Sequence, residues 1–202
     1  MTDYTILVNK ENLLDRNYIP NDLVITDENE NNFHMFIDPN SKPMVSNTII
    51  PYFQALQKAA KKAGLKDIII DSGYRSFDYQ QKVLEDFILK VGYENAVKRV
   101  AIPGSSEHQT GLAFDIAYIN NKGIFEEPTE DDLEIKWLQE NSYKFGFILR
   151  YPKNKENITG YQYEPWHYRF VGVELATILY NQEITLEEYY ERLKNNNISK
   201  KL

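Results

Sequence analysis

The chain is 202 residues long, with 42% hydrophobic and 26% charged residues and a formal net charge of −7. Size and balance are those of an ordinary globular protein with an adequate core, and residues 1–202 read as a single domain without internal repeats or long polar linkers. The acidic charge argues against nucleic acid as a partner, which wants a basic face, and the lack of cysteine excludes disulfides, thiolate zinc sites and cysteine nucleophiles.

Met1 to Lys10 lack a basic start followed by an apolar core, and no apolar run reaches 18 residues. With neither a secretory signal nor a membrane span in the sequence, a cytoplasmic protein is expected, a trimmed cell-surface form being the alternative; the start itself reads as strand-like. Residues 11 to 50 are polar and turn-rich, which predicts short strands and loops wrapping the core. His34 lies here, in Phe33-His34-Met35-Phe36, and reads as a packed or surface histidine rather than a ligand. From Pro51 to Ala63, apolar Phe53, Leu56, Ala59, Ala60 and Ala63 fall at helical spacing, with Gly64 as the C-cap. Asp67 to Asp71 is a short buried strand that runs into Ser72-Gly73-Tyr74-Arg75. Arg75 therefore sits just past a strand end, as a surface residue or as a fork that grips a carboxylate or polarises a carbonyl. Asp78 is placed as the cap of a helix from about Tyr79 to Val91, with Val83, Phe87 and Ile88 facing inward. A short helix from Tyr93 to Val100 leads to Pro103-Gly104.

The stretch Gly104 to Ile116 places His108 and Asp115 seven residues apart across a glycine turn. Its second half, Leu112 to Ile119, alternates as a strand: Leu112, Phe114 and Ile116 point one way, Ala113, Asp115 and Ala117 the other. Asp115 thus has two small neighbours on its own face, which leaves room for a hydrated metal ion. Further on, Glu126 to Glu134 is a solvated acidic loop, and Thr129 with Asp131 and Asp132 opens a helix from about Glu130 to Tyr143, with Ile135, Trp137 and Leu138 toward the core. Phe147 to Tyr151 is a strand and Pro152 to Tyr161 a polar rim. Tyr163-Glu164-Pro165-Trp166-His167-Tyr168-Arg169-Phe170-Val171 holds the second of the chain's two chemistry-bearing histidines. Two helices, Val173 to Tyr180 and Leu186 to Leu193, close the chain, the second introduced by Thr185; the last residues read as a frayed tail.

His108, Asp115 and His167 make two imidazoles and one carboxylate, a set that suits zinc with a fourth position left for water. Bound water then ionises near a pKa of roughly 7, and Glu164, three residues before His167, is available as the general base that moves a proton from water to a leaving amine. In a regular strand Glu164 and His167 would face opposite ways. Pro165, which sits in strands mainly at edges or bulges, predicts a local irregularity that turns both side chains toward the metal.

Ser106-x-His108-x-x-Gly111-x-Ala113-x-Asp115 followed by Glu164-Pro165-Trp166-His167 resembles the zinc D,D-carboxypeptidases of the VanY and VanXY type, in the wider group that holds L,D-carboxypeptidases and the hedgehog domain. Ser72-Gly73-Tyr74-Arg75-Ser76 and Phe145-Gly146-Phe147-Ile148-Leu149-Arg150-Tyr151-Pro152 extend the likeness, which runs from about Asp67 to Gly172. The resemblance implies an α+β fold, a small mostly antiparallel sheet with surrounding helices. It implies a zinc enzyme that hydrolyses the last amide of D-Ala-D-Ala-ended cell-wall peptides, with a role in glycopeptide resistance or cell-wall remodelling. It gives Arg75 to the developing oxyanion or substrate carbonyl, Ser106 to the substrate's terminal carboxylate and Gln80 to a substrate contact; Tyr151 is placed in the pocket lining. An L,D-carboxypeptidase acting on tetrapeptides and a non-catalytic zinc-bearing binding module are the alternatives.

Overall fold

In a computed structural model, residues 3–26 and 43–199 are described, and His34 lies outside them. The strands are β1 (Leu23–Ile25), β2 (Met44–Ser46), β3 (Asp67–Ser72), β4 (Ala113–Ile119), β5 (Phe125–Glu126), β6 (Phe147–Leu149) and β7 (His167–Phe170). The helices are α1 (Ile50–Lys62), α2 (Phe77–Val91), α3 (Tyr93–Ala96), α4 (Leu133–Asn141), α5 (Glu156–Thr159), α6 (Val173–Gln182) and α7 (Leu186–Ser199). This is the expected α+β architecture: β1 and β2 form a hairpin, and a five-stranded antiparallel sheet runs in the order β3-β4-β7-β6 with β5 on the far end of β4.

The alternation of β4 sorts the sheet's two faces. Phe114 and Ile116 enter the main core with Phe53, Leu56 and Ala60 of α1, where Phe53, Phe114 and Phe147 meet edge to face at 5.1 and 5.3 Å. Asp115 faces the opposite side. There β3 carries a bulge: Ile70 pairs with Ile116 and Ser72 with Asp115, so Asp71 is the extra residue and its side chain joins the wall of the cleft described below.

Several boundaries differ from expectation. Residues 3–10 form no strand. Ser76 caps α2, its hydroxyl accepting from the Tyr79 amide, because Asp78 is already inside the first turn. Helix α4 begins only at Leu133, since the Asp132 carboxylate folds back onto the Thr129 amide at 2.7 Å. Ala63 is exposed, lying past the end of α1. Helix α7 continues through Ser199, across much of the segment read as tail. No helix among the described residues is long and apolar enough to cross a membrane.

Candidate metal centre

Three pieces of chain bring the site together. The tight turn Glu107–Thr110 presents His108 and ends at Gly111, whose φ of +67° a side chain would strain; a Cβ there would also lie 2.9 Å from Leu23. Strand β4 presents Asp115, and antiparallel pairing sets it directly opposite His167, the first residue of β7. The expected irregularity before His167 is a turn: Pro165 and Trp166 form its corner, the His167 amide donates to the Glu164 carbonyl, and the strand starts only afterwards. Glu164 and His167 thereby end on the same side, with a carboxylate oxygen 3.9 Å from His167 Nδ1.

The polar atoms converge. Asp115 Oδ1 lies 3.0 Å from His167 Nδ1, and Asp115 Oδ2 lies 3.4 Å from His108 Nε2. One ligand atom from each of the three residues falls within 4.8 Å of the others. Ligands at roughly 2.1 Å around a tetrahedral zinc would sit about 3.4 Å apart, so the residue types and placement fit that ion once the three side chains draw inward onto it. His108 is oriented from behind: Nδ1 donates to the Gly73 carbonyl at 2.6 Å, which leaves Nε2 facing the site. Gly73 is required there, because a Cβ would lie 2.1 Å from the Met44 carbonyl oxygen.

Electrostatics divide the labour. Burial, then the nearby Arg75 charge, pull the His108 pKa down to about 4, so the ring is neutral at neutral pH, the form a metal ligand needs. Burial alone would raise the Asp115 carboxyl, but the neighbouring imidazoles and Arg75 hold it well below the usual carboxylate range. Burial pushes Glu164 up to about 7, which suits a group that must take and return a proton near neutrality. For His167, burial acts downward but the Asp115 and Glu107 carboxylates beside the ring carry it up to about 9. A metal held at Nδ1 would have to displace that proton. Below pH 9 the proton competes, so apparent zinc affinity should climb by up to about tenfold per pH unit toward pH 9 and level off above it. Competition against a chromophoric chelator from pH 6.5 to 9.5 measures the slope; a flat profile contradicts the assignment.

Arg75 lies at the site's edge. Its guanidinium reaches Ser72 Oγ at 2.9 and 3.1 Å and Asp115 Oδ2 at 2.7 Å. Ser106 is buried on the cleft wall just before His108, and Tyr151 packs against His167 in a tilted pair with ring centres 4.9 Å apart. Gln80 also lines the cleft but is only 1% exposed, its amide donating to the Ala101 carbonyl at 2.9 Å; it is a packed helix residue, not a surface one. The cleft holding all of them has a volume of about 820 Å³.

Glu107 escaped the sequence reading. It is fully buried, and its Oε1 accepts from Arg150 Nε and Arg169 Nη1, both at 2.8 Å. Arg150 also grips Glu187 of α7 at 2.5 and 2.9 Å, and Arg169 donates to the carbonyls of Tyr4 and Ile6. The available signal was two arginines inside apolar strand runs, since a charge there demands a buried partner.

The sequence pattern of the family described as VanY: D-alanyl-D-alanine carboxypeptidase matches residues 42–173. The chain belongs to this VanY family. Among its relatives, a Bacillus subtilis protein named as a carboxypeptidase, YodJ, is 43% identical over 188 residues, 93% of this chain and 67% of that one. A D-alanyl-D-alanine carboxypeptidase of Enterococcus faecalis is 46% identical over 150 residues, 70% of this chain and 53% of that one. The chain thus spans between half and two thirds of these two VanY relatives. Solved structures agree on the fold: the LdcB LD-carboxypeptidase superimposes with a TM-score of 0.78 at 43% identity, over 92% of this chain and 84% of that one. The vancomycin-resistance D,D-pentapeptidase VanY in complex with Zn(II) superimposes with a TM-score of 0.76 at 37% identity, over 93% and 98%.

Proposed function

We propose that this VanY-family protein is a zinc D,D-carboxypeptidase that removes the terminal D-alanine from D-Ala-D-Ala-ended peptidoglycan peptides. The observation that carries the reading is the convergence of His108, Asp115 and His167 within 4.8 Å, with Glu164 at 3.9 Å from His167 and Arg75 at 2.7 Å from Asp115. His108 Nε2, an Asp115 oxygen and His167 Nδ1 would hold the metal. When bound, zinc supplies a Lewis acid for the scissile carbonyl and brings water ionisation near neutrality. Glu164 accepts the proton of the attacking water and delivers it to the amine of the departing D-alanine, so the amide C–N bond breaks as the new C–O bond forms. Arg75, fixed by Ser72, faces the oxygen on which negative charge develops. Ser106 positions the peptide, Gln80 backs the cleft wall through its bond to the Ala101 carbonyl, and Tyr151 closes the pocket beside His167. A solved VanY structure in complex with D-alanine-D-alanine, at 37% identity and a TM-score of 0.75, supports the substrate class.

The cleft of about 820 Å³ has the size of an ordinary small-molecule or peptide site. The reading includes a role in glycopeptide resistance or wall remodelling, the first supported by the likeness to a VanY from a resistance cassette. The likeness to LdcB keeps trimming of tetrapeptides as the second reading. Mass spectrometry of zinc-loaded protein with a muramyl pentapeptide, the matching tetrapeptide and the free dipeptide decides between them. Loss of one alanine from the pentapeptide is expected. Trimming of the tetrapeptide alone would transfer the protein to the L,D reading, and no cleavage with zinc bound would leave a binding module.

A further inference from the structure

His167 has two faces. Nδ1 looks into the cleft, 3.0 Å from Asp115 and 3.9 Å from Glu164, and is the atom available to a metal. Nε2 looks into the protein, where it is buried and 3.7 Å from Glu107 Oε2. Neither His167 Nε2 nor Glu107 Oε2 has another hydrogen-bond partner, although both are enclosed. A ring that gives Nδ1 to a cation must carry its proton on Nε2, and a buried N–H without an acceptor is costly. The carboxylate opposite can supply that acceptor after a shift of well under an ångström. Glu107 is itself immobilised, because its other oxygen is clamped between the Arg150 and Arg169 guanidiniums.

We infer that Glu107 is a positioning residue for the metal centre: through Oε2 it accepts from His167 Nε2–H and fixes the tautomer and ring plane that aim Nδ1 at the ion. The two arginines hold the carboxylate in its charged form and in one orientation, so the histidine meets an acceptor that cannot rotate away. Such outer partners of a ligating histidine raise its basicity and orient the ring. The inference rests on the metal assignment proposed above and adds a residue to it.

In Glu107→Gln the amide cannot serve both sides. With its oxygen toward His167, its NH2 opposes the arginines; with its oxygen toward the arginines, its NH2 opposes His167 Nε2–H. Zinc affinity, measured by chelator competition, should fall about 10- to 100-fold. The control is Glu187→Gln, which removes the other carboxylate of Arg150 and loosens the same buried network without touching His167. It should leave zinc affinity within about twofold of wild type, the scale of a distant, independent change. Glu107→Gln binding zinc like wild type, or Glu187→Gln losing as much as Glu107→Gln, overturns the inference. Wild-type protein that binds no zinc would instead remove the metal assignment and this inference together.

A measurement on the unaltered protein does not depend on the variants folding. With zinc loaded, long-range nitrogen-proton NMR of the imidazoles should show His167 protonated on Nε2 with a slowly exchanging, downfield proton, and His108 protonated on Nδ1. His34→Gln identifies the remaining ring. A His167 Nε2 proton that exchanges rapidly, or protonation on Nδ1, contradicts the contact with Glu107.

Discussion

Glu164→Gln should lower kcat for release of the terminal D-alanine by about 10²- to 10⁴-fold, the usual contribution of a positioned general base. Zinc affinity should stay close to wild type. The amide has the shape of the carboxyl group, so it keeps the turn that places it: the Glu164 amide donates to the Tyr151 carbonyl, and its own carbonyl accepts from His167, both through the backbone. What it loses is the ability to take a proton. The wild-type carboxyl is suited to that task because burial carries its pKa to about 7, so it exchanges a proton with water at little cost near neutrality. Activity that requires ionised Glu164 falls as pH drops through that value, while a bound dication favours ionisation and moves the fall to lower pH. The variant should therefore lose the acid limb that belongs to this group along with the rate. Steady-state kinetics from pH 5 to 9, beside a zinc titration, separate the outcomes. A variant that turns over at the wild-type rate removes Glu164 from the role of base, and one that no longer binds zinc makes it a ligand.

Arg75→Ala should cost about 10²- to 10³-fold in kcat, as removal of an oxyanion partner does. Arg75→Lys should recover only part of this. The guanidinium spans Ser72 Oγ and Asp115 Oδ2 at once, with distances of 2.7 to 3.1 Å, and an ammonium point charge reproduces the charge without the planar fork. Adding guanidinium ion to the Ala variant should restore measurable rate, which a loss of fold would not permit. An unchanged kcat with a raised KM would instead assign Arg75 to ground-state binding of the substrate.

The site was legible because its chemistry is written in residue types that have few other uses in this chain. His108 and His167 are two of three histidines, and the alternation along β4 placed Asp115 on the face opposite Phe114 and Ile116 without any knowledge of the partner strands. The proline between Glu164 and His167 announced that the backbone is irregular there, though not that the irregularity is a turn completed before the strand begins. Other features depend on distances that sequence does not carry. Asp71 looks like the last residue of a regular strand, and only pairing with β4 shows it to be the bulged one. Glu107 is one of 30 acidic residues, and nothing local says that it meets Arg150, 43 positions away, and Arg169, 62 away. Helix ends depended on which of several neighbouring polar side chains wins the cap, and at α2 and α4 a neighbour prevailed.

One zinc ion should be held by His108, Asp115 and His167, with Glu164 beside it as the base. Anomalous diffraction at the zinc edge, from crystals of the protein supplied with one equivalent of zinc, tests it most directly. A single peak is expected within bonding distance of His108 Nε2, an Asp115 carboxylate oxygen and His167 Nδ1, with the Glu164 carboxylate nearby but outside the coordination sphere. A peak elsewhere, or one in which Glu164 replaces Asp115 as a ligand, would contradict it.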